Sequence, residues 1–254
     1  MKKINKIIFN RNKHVLYNKL AKYTDLSYFD KDYKRETKFI LKRIKENKII
    51  GKTLIDVACG SGNHSKLLQK KGYKIYGVDL NKGMLNLIKR NIPNIKLYEQ
   101  DMRKLNLPIK SDVIICMFNS INYNMGYDQF EETLRRFYSQ LNKKGIVIFD
   151  TFFTKENWKE GHFGIKKFSA QNLDVARVFK STSKGNVGRT NQTYIIYENG
   201  KKKLFEDVNE IYLFDKNKLK EIMKKIGFKT KIYYDFSENT KKGHNCVFVG
   251  VKNE

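Results

Sequence analysis

The sequence predicts an α/β chain: an open, mostly parallel sheet with a small antiparallel layer set into it. Three observations predict this. The stretch 53–80, TLIDVACGSGNHSKLLQKKGYKIYGVDL, reads as an apolar strand, a glycine turn, a helix, and a second apolar strand ending on an acid. Five strand–helix steps of this kind follow one another up to Asp150. Beyond Asp150 the pattern changes to alternating segments joined by glycine-containing turns.

Taken in order, residues 1–20 form a basic, partly helical arm that carries His14. Phe39, Ile40 and Ile44 at helical spacing predict a helix over 33–46. Tyr23, Tyr28, Phe29 and Tyr33 lead into it beside Asp25, Asp30 and Asp32, as a lid over a ligand or an aromatic staple on the core. Strands are predicted over 53–57, 74–78, 95–98, 112–117 and 146–150, with helices over 63–71, around Met84 to Leu87, and over 129–141. The 112–117 segment is nearly all apolar, as befits a parallel strand covered on both faces. Residues 152–172 are mixed and hold the single tryptophan, Trp158. Alternating segments follow over 174–180, 190–197 and 204–213, with Lys184–Gly185 and Asn199–Gly200 as hairpin turns. A helix over 216–226, stopped by Gly227, precedes an antiparallel strand pair, 228–234 and 245–251, at the sheet edge. The division expected is an arm and lid over 1–50, a ligand-binding core over 51–151 and 214–254, and an inserted layer over 152–213. That layer would wall a substrate pocket or form a homodimer face.

Composition narrows the function classes. At 254 residues and 40% hydrophobic, the chain suits one folded domain with an insertion and excludes disorder. No run approaches the roughly 18 apolar residues of a membrane span. The basic N-terminus has an apolar stretch only at 7–9, so a cytoplasmic setting without a membrane partner is expected. Cys59, Cys116 and Cys246 fit reduced thiols and lack metal-ligand spacing. A formal charge of +26 invites a polyanion, either nucleic acid or a smaller phosphorylated substrate. Yet 43 of the 52 basic residues are lysine, spread from Lys2 to Lys252, which equally fits solvated faces.

The glycine turn separates two cofactor readings. A dinucleotide fingerprint requires GxGxxG, with the pyrophosphate on exposed N–H groups at the helix start. Here Ala58, Cys59, Gly60, Ser61 and Gly62 lack the first glycine. Asp56, close to the turn, would repel a pyrophosphate but pair with a ligand ammonium. With Asp79 at the second strand's end, the pattern suits a cationic amino-acid tail and one ribose: S-adenosylmethionine, spent as S-adenosylhomocysteine. A structural turn without a ligand is the bland alternative.

IDVACGSG, GVDLNKGML, EQDMRKLNLPIKSDVIICMFNSINY and VFVGV resemble the class I S-adenosylmethionine-dependent methyltransferases. More narrowly, the chain is similar to bacterial N,N-dimethyltransferases that act on the amine of nucleotide-linked amino sugars. The YxxLxYxxKDYxxE-like stretch, the DMR triplet, the MFxSI segment and NEIYLF carry that likeness, which spans about 20–252. The resemblance implies a Rossmann-like seven-stranded sheet with its last strand antiparallel, plus an antiparallel substrate layer. It implies Asp56, Ala58, Gly60 and Gly62 at the methionine end and Asp79 with Leu80 at the ribose. Asp101 and Met102 would flank the adenine, and Met117, Phe118 and Tyr33 would complete the cleft. Arg103 would meet a cofactor carboxylate or an acidic neighbour.

Methyl transfer from a sulfonium requires alignment and exclusion of water, and an amine acceptor must be neutral when it attacks. Tyr123 is the first catalytic candidate because it follows the tip of the fourth strand; Tyr23 and Tyr33 are others. Tyr28, Asn119 and Asn122 are candidate substrate contacts. A phenol titrating near 10 is a poor base at neutrality but can orient an amine. In the resembling sugar N-methyltransferases a histidine can stand at the Tyr123 position, and the tyrosine here leaves base and substrate class open. Arg177, Arg189 and His244 are candidate phosphate contacts, and His64 lies near enough the turn to approach the cofactor. Three rivals remain: an RNA methyltransferase, a methyltransferase for another small amine or hydroxyl, and a non-catalytic cofactor-binding domain. Against RNA, MFNSINY differs from the Asn/Asp-Pro-Pro-aromatic type, and no aromatic–basic RNA module is present.

Overall fold

The computed structural model describes residues 17, 20–27, 31–170 and 172–253. Most of the basic arm, with His14, and Tyr28, Phe29 and Asp30 of the aromatic entry therefore lie outside the described residues. Two helices open the described chain, α1 (Ala21–Ser27) and α2 (Tyr33–Glu46). Asp32 caps α2 by accepting from Arg35 N at 2.9 Å, and Phe39, Ile40 and Ile44 form its buried face. Alternation of strand and helix follows: β1 (Thr53–Val57), α3 (Asn63–Gln69), β2 (Lys74–Asp79), α4 (Lys82–Asn91), β3 (Lys96–Glu99), β4 (Ser111–Cys116), α5 (Tyr127–Gln140) and β5 (Leu141–Thr151). Four long strands come next, β6 (Phe163–Ala170), β7 (Leu173–Lys184), β8 (Val187–Glu198) and β9 (Lys201–Tyr212). Then α6 (Lys216–Ile226), β10 (Phe228–Tyr234) and β11 (Cys246–Lys252) close the chain.

Seven strands form one sheet in the order β10-β11-β5-β4-β1-β2-β3. β1 runs parallel to β2 and β4, β4 runs parallel to β5, and β11 is the one reversed strand, antiparallel to β5 on one side and β10 on the other. The strand order reverses between β1 and β4, which leaves a crevice at the carboxyl ends where ligands bind in such sheets. Both faces are covered. Ile114 and Cys116 pack with Phe130 and Phe137 of α5 and Met223 of α6. Val113 and Ile115, pointing the other way, pack with Phe39 and Ile40 of α2 and Leu68 of α3.

The remaining strands form a separate antiparallel meander, β6-β7-β8-β9. The β7–β8 and β8–β9 turns fall at Gly185 and at Asn199–Gly200, all with positive φ, the backbone that such hairpins require. Two features differ from expectation. β6 lies within the stretch read from sequence as mixed, with no strand assigned; adjacent Lys166 and Lys167 break its apolar–polar alternation. α1 is also additional, and packs against the meander through Leu20, Tyr23, Val175, Tyr194 and Ile196.

Arg43 of α2 is a fully buried cation. Its guanidinium lies over the rings of Phe39 and Tyr233, and its Nη2 donates to Glu238 at 2.6 Å and to Glu46 at 3.0 Å. Among the described residues no helix is long and apolar enough to cross a membrane.

Candidate active site

A cavity of about 400 Å³ opens at the carboxyl ends of β1, β2 and β4, a size suited to a small-molecule ligand. Its floor is the turn after β1, where Ala58, Gly60 and Gly62 all have positive φ. The N–H groups of this turn are used internally. Cys59 N donates to Val78 O, Gly62 N to Cys59 O, and Gly60 N to Asp79 Oδ2 at 3.0 Å. The turn therefore aims few donors at an anion and instead grips a carboxylate. Gly62 does not line the cavity; a Cβ there would lie 2.5 Å from Ile88 Cγ1, so it permits α4 to pack close.

Two acids face the cavity from this region. Asp79 accepts from Gly60 N at 3.0 Å, from Asn81 N at 2.8 Å and from Asn81 Nδ2 at 3.3 Å, which leaves acceptor capacity on its Oδ2 side for a ligand hydroxyl. Asp56, 3% exposed, accepts from Ser65 Oγ at 2.6 Å, and burial pushes its carboxyl up to about 6. Burial also raises the carboxyl of Asp79 and pushes the neighbouring Cys59 thiol well up. A cationic ligand relieves the cost of ionising such acids, whereas a pyrophosphate would raise it.

Across the floor, Asp101 caps a short 3-10 helix, Met102–Lys104, by accepting from Arg103 N at 2.9 Å. Arg103 Nε reaches both Asp101 oxygens at 2.9 and 3.0 Å, and its Nη1 donates to Gln129. Burial opposes ionisation of Asp101, yet this guanidinium holds its carboxyl below the ordinary range. Arg103 thus meets its acidic neighbour, and it also lines the cavity. Met102, Met117, Phe118, Leu80 and Ala58 also line the cavity.

α2 closes one side. Tyr33 lines the cavity edge-on to His64, with ring centroids 5.1 Å apart. Nε2 of His64 is 2.7 Å from Glu36 Oε2, and both residues are buried. Burial would raise Glu36, but His64 and then Lys31 draw its carboxyl below the usual value. Lys31 pairs with Glu36 and sits 4.2 Å over the Phe118 ring. Lys31, Tyr33 and Glu36 all fall in the KDYxxE part of the entry motif, but local pattern gave no hint of the histidine partner.

The opposite wall comes from distant segments. A 3-10 helix, Ser120–Tyr123, follows β4. Its Tyr123 hydroxyl shares a 2.7 Å hydrogen bond with Tyr17, whose ring meets it edge-on. Both line the cavity, as do Val208 and Glu210 of β9. Asn122 Nδ2 donates to the carbonyls of Phe153 and Tyr212, both at 2.8 Å, which ties this helix to β9.

Several expected contacts lie elsewhere among the described residues. Tyr23 turns toward the meander and donates to Glu198 Oε2 at 2.9 Å. Asn119 accepts from Phe152 N and Phe153 N, so it and Asn122 brace the chain behind the wall. Arg177 donates to Gln192 and lies over Phe179; Arg189 lies 3.8 Å from Glu210; His244 sits on an exposed loop. None of these six lines the cavity, and Tyr28 is outside the described residues. Tyr17 and Glu210, conversely, line the cavity without a signal in the sequence. A lone tyrosine in a lysine-rich arm and one acid in an alternating strand carry no local signature.

The sheet order, the acid-gripping turn and the cavity define the class: the chain is a class I S-adenosylmethionine-dependent methyltransferase. Residues 54–145 match a family model described as a methyltransferase domain. Within the class the chain is related to bacterial nucleotide-sugar N,N-dimethyltransferases. It is 26% identical over 230 residues to dTDP-3-amino-3,4,6-trideoxy-alpha-D-glucopyranose N,N-dimethyltransferase of Streptomyces venezuelae, covering 89% of this chain and 95% of that one. It is 28% identical to the dTDP-3-amino-3,6-dideoxy-alpha-D-glucopyranose N,N-dimethyltransferase of Streptomyces fradiae, a match spanning 65% of each chain. The crystal structure of Streptomyces venezuelae DesVI superposes with a TM-score of 0.83 at 26% identity, covering 92% of this chain and 98% of that one.

Proposed function

We propose that this methyltransferase N-methylates a small phosphorylated, nucleotide-linked amino sugar in the cytoplasm. The observation that carries the reading is a single cavity joining the acid-gripping turn to the Tyr17–Tyr123 hydroxyl pair. The likeness to sugar N,N-dimethyltransferases along most of the chain, inserted layer included, supports the substrate class.

The residues present suit the cofactor: two buried, reluctantly ionised acids stand where a cation and a ribose are needed. Asp79 is read as holding the ribose hydroxyls and Asp56 the amino group of the tail, with Tyr33 beside it. Asp101 and Met102 are assigned to the adenine, and Met117 and Phe118 to the neighbouring cleft wall. S-adenosylmethionine, when bound, supplies an electrophilic methyl on a sulfonium.

Tyr123 is assigned to orient the acceptor nitrogen. Paired with Tyr17, it fixes one lone-pair direction and keeps the site dry; holding reactants in line is worth roughly 7–11 kcal/mol in good cases. A phenol does not take the ammonium proton at neutrality, so that proton passes to water before attack. The same reading makes 1–50 a lid, 51–151 with 214–254 the cofactor core, and 152–213 the substrate layer. The lysine-rich exterior then serves the substrate's phosphates.

The test is methyl transfer to amino-sugar nucleotides and to structured RNA at matched ionic strength. Turnover of an amino-sugar nucleotide is expected; transfer to RNA alone would overturn the reading.

A further inference from the structure

Three acids are buried at the carboxyl ends of the parallel strands, and two of them line the cavity. Asp56 lies near the end of β1 and Asp79 ends β2. The third, Asp150, is 1% exposed and does not line the cavity. It lies one residue past Phe149, the last position of β5 paired with β4, opposite Cys116. Burial pushes its carboxyl up, and the ammonium of Lys31 opposes this. Taking a carboxylate out of water is costly, so an acid that reaches no ligand must be matched by the chain around it.

Its two oxygens hold two different segments. Oδ2 accepts from Asn245 Nδ2, just ahead of β11, and Oδ1 accepts from the backbone N–H of Asn119, both at 3.2 Å. The second bond lies under a strained turn. Phe118 and Asn119 are consecutive residues in the left-handed region, with φ 61° and 60°, a backbone that persists only where its surroundings fix it. The elbow they make turns the chain from β4 into the 3-10 helix Ser120–Tyr123. It leaves the Phe118 ring on the cavity under the Lys31 ammonium, and Tyr123 on the wall at the helix's end. Asn119 adds a second tie, since its side-chain oxygen accepts from Phe152 N and Phe153 N, in the chain that follows Asp150. Elbow and β5 end are pinned to each other from both sides.

We propose that Asp150 is a positioning residue for methyl transfer: by holding the elbow through Asn119 N, its carboxylate fixes where Tyr123 stands against the acceptor. This deepens the amino-sugar reading and rests on its assignment of Tyr123 to the acceptor nitrogen. Asp150 itself takes no proton from the substrate, because it does not reach the cavity. Two adjacent left-handed residues have easier backbone to relax into once their acceptor is gone. A shift of about 1 Å in a group that aligns reactants costs on the order of 100-fold in rate.

The experiment is a double-mutant cycle between Asp150 and Tyr123, read as kcat with an amino-sugar nucleotide, alongside S-adenosylhomocysteine affinity by calorimetry and the thermal midpoint. Asp150→Ala is expected to lower kcat about tenfold or more, with cofactor affinity within about threefold. Asp150→Asn, whose amide oxygen still accepts from Asn119 N, recovers most of that loss. Added to Tyr123→Phe, Asp150→Ala lowers kcat by less than about threefold further, because it acts through that residue. Asn245→Ala removes the other partner of Asp150; it should lower the midpoint while kcat stays within about twofold, which separates positioning from stability. Asn119→Ala loosens the elbow without emptying the buried site, and should lower kcat in the same coupled way even if Asp150→Ala does not fold. A kcat unchanged in either elbow variant, or losses that multiply in the double variant, overturn the role of Asp150 alone. Full-rate turnover by Tyr123→Phe overturns the Tyr123 assignment and Asp150 with it. Turnover of structured RNA alone overturns the amino-sugar reading, and the same cycle run on RNA then still decides on Asp150.

Discussion

At one end of the cavity Asp56, Gly60 and Asp79 come from a single β–turn–α–β unit and are locked by backbone hydrogen bonds. At the other end Tyr17, Tyr123 and Glu210 come from three segments far apart in the chain, joined by side-chain contacts and by the Asn122 bridge. The first end is rigid and general, since any acceptor can be methylated with the same cofactor. The second is assembled from parts that can change one at a time without disturbing the sheet. On the proposed function, the difference teaches where specificity resides: in the elements laid over the parallel sheet rather than in the sheet.

The comparison breaks most readily at the rigid end. Asp79→Ala is expected to weaken S-adenosylhomocysteine binding on the order of 100-fold by calorimetry, since charge-assisted hydrogen bonds of about 1.5–3 kcal/mol are lost. It should also lower the thermal midpoint, because Gly60 N and Asn81 N lose their acceptor. At the assembled end, Tyr123→Phe should slow turnover about tenfold or more while leaving cofactor affinity within about twofold. Tyr17→Phe should do the same, and the double variant should add little beyond either single change if the pair acts as a unit.

A smaller effect follows from pH. Asp56 titrates near 6 in the folded protein and must be ionised to pair with an ammonium, so binding releases a proton below that pH. Affinity for S-adenosylhomocysteine should fall by up to about tenfold per pH unit below 6, with proton release visible in buffers of different ionisation enthalpy. Without ligand the sign reverses for stability. The raised carboxyl favours the folded state when protonated, and that contribution is lost as pH rises from 3.8 through about 6. Arg177→Ala sharpens the comparison by doing least. Off the cavity, it should change neither cofactor affinity nor turnover by more than about twofold, at a stability cost of about 1 kcal/mol or less.

The same contrast explains what was legible in the sequence. Strands such as Val113 to Cys116, buried on both faces, announce themselves as continuous apolar runs, and Gly227 marks the end of α6 by its left-handed backbone. The turn that lines the cavity with Asp56, Gly60 and Asp79 is legible because these residues are fixed by local spacing within one unit. The acceptor wall is not, because what Tyr17 or Glu210 faces depends on how the meander docks. Tyr23 illustrates this: an aromatic in the entry motif, it is drawn to Glu198 on the meander rather than to the cavity. β6 escaped notice for a different reason, since an outer strand with lysines at consecutive positions loses the alternation that marks its neighbours.

Buried Arg43 has a consequence for how the molecule is made. Its ring partner Tyr233 and acid partner Glu238 are translated nearly two hundred residues after it. Until they leave the ribosome, this cation has only Phe39 and Glu46 of its own helix as partners, and the seat of α2 is incomplete. Synthesis thus ends with the first long helix closing against almost the last strand, and a chain released short of β10 would have its cofactor turn without the helix that covers it.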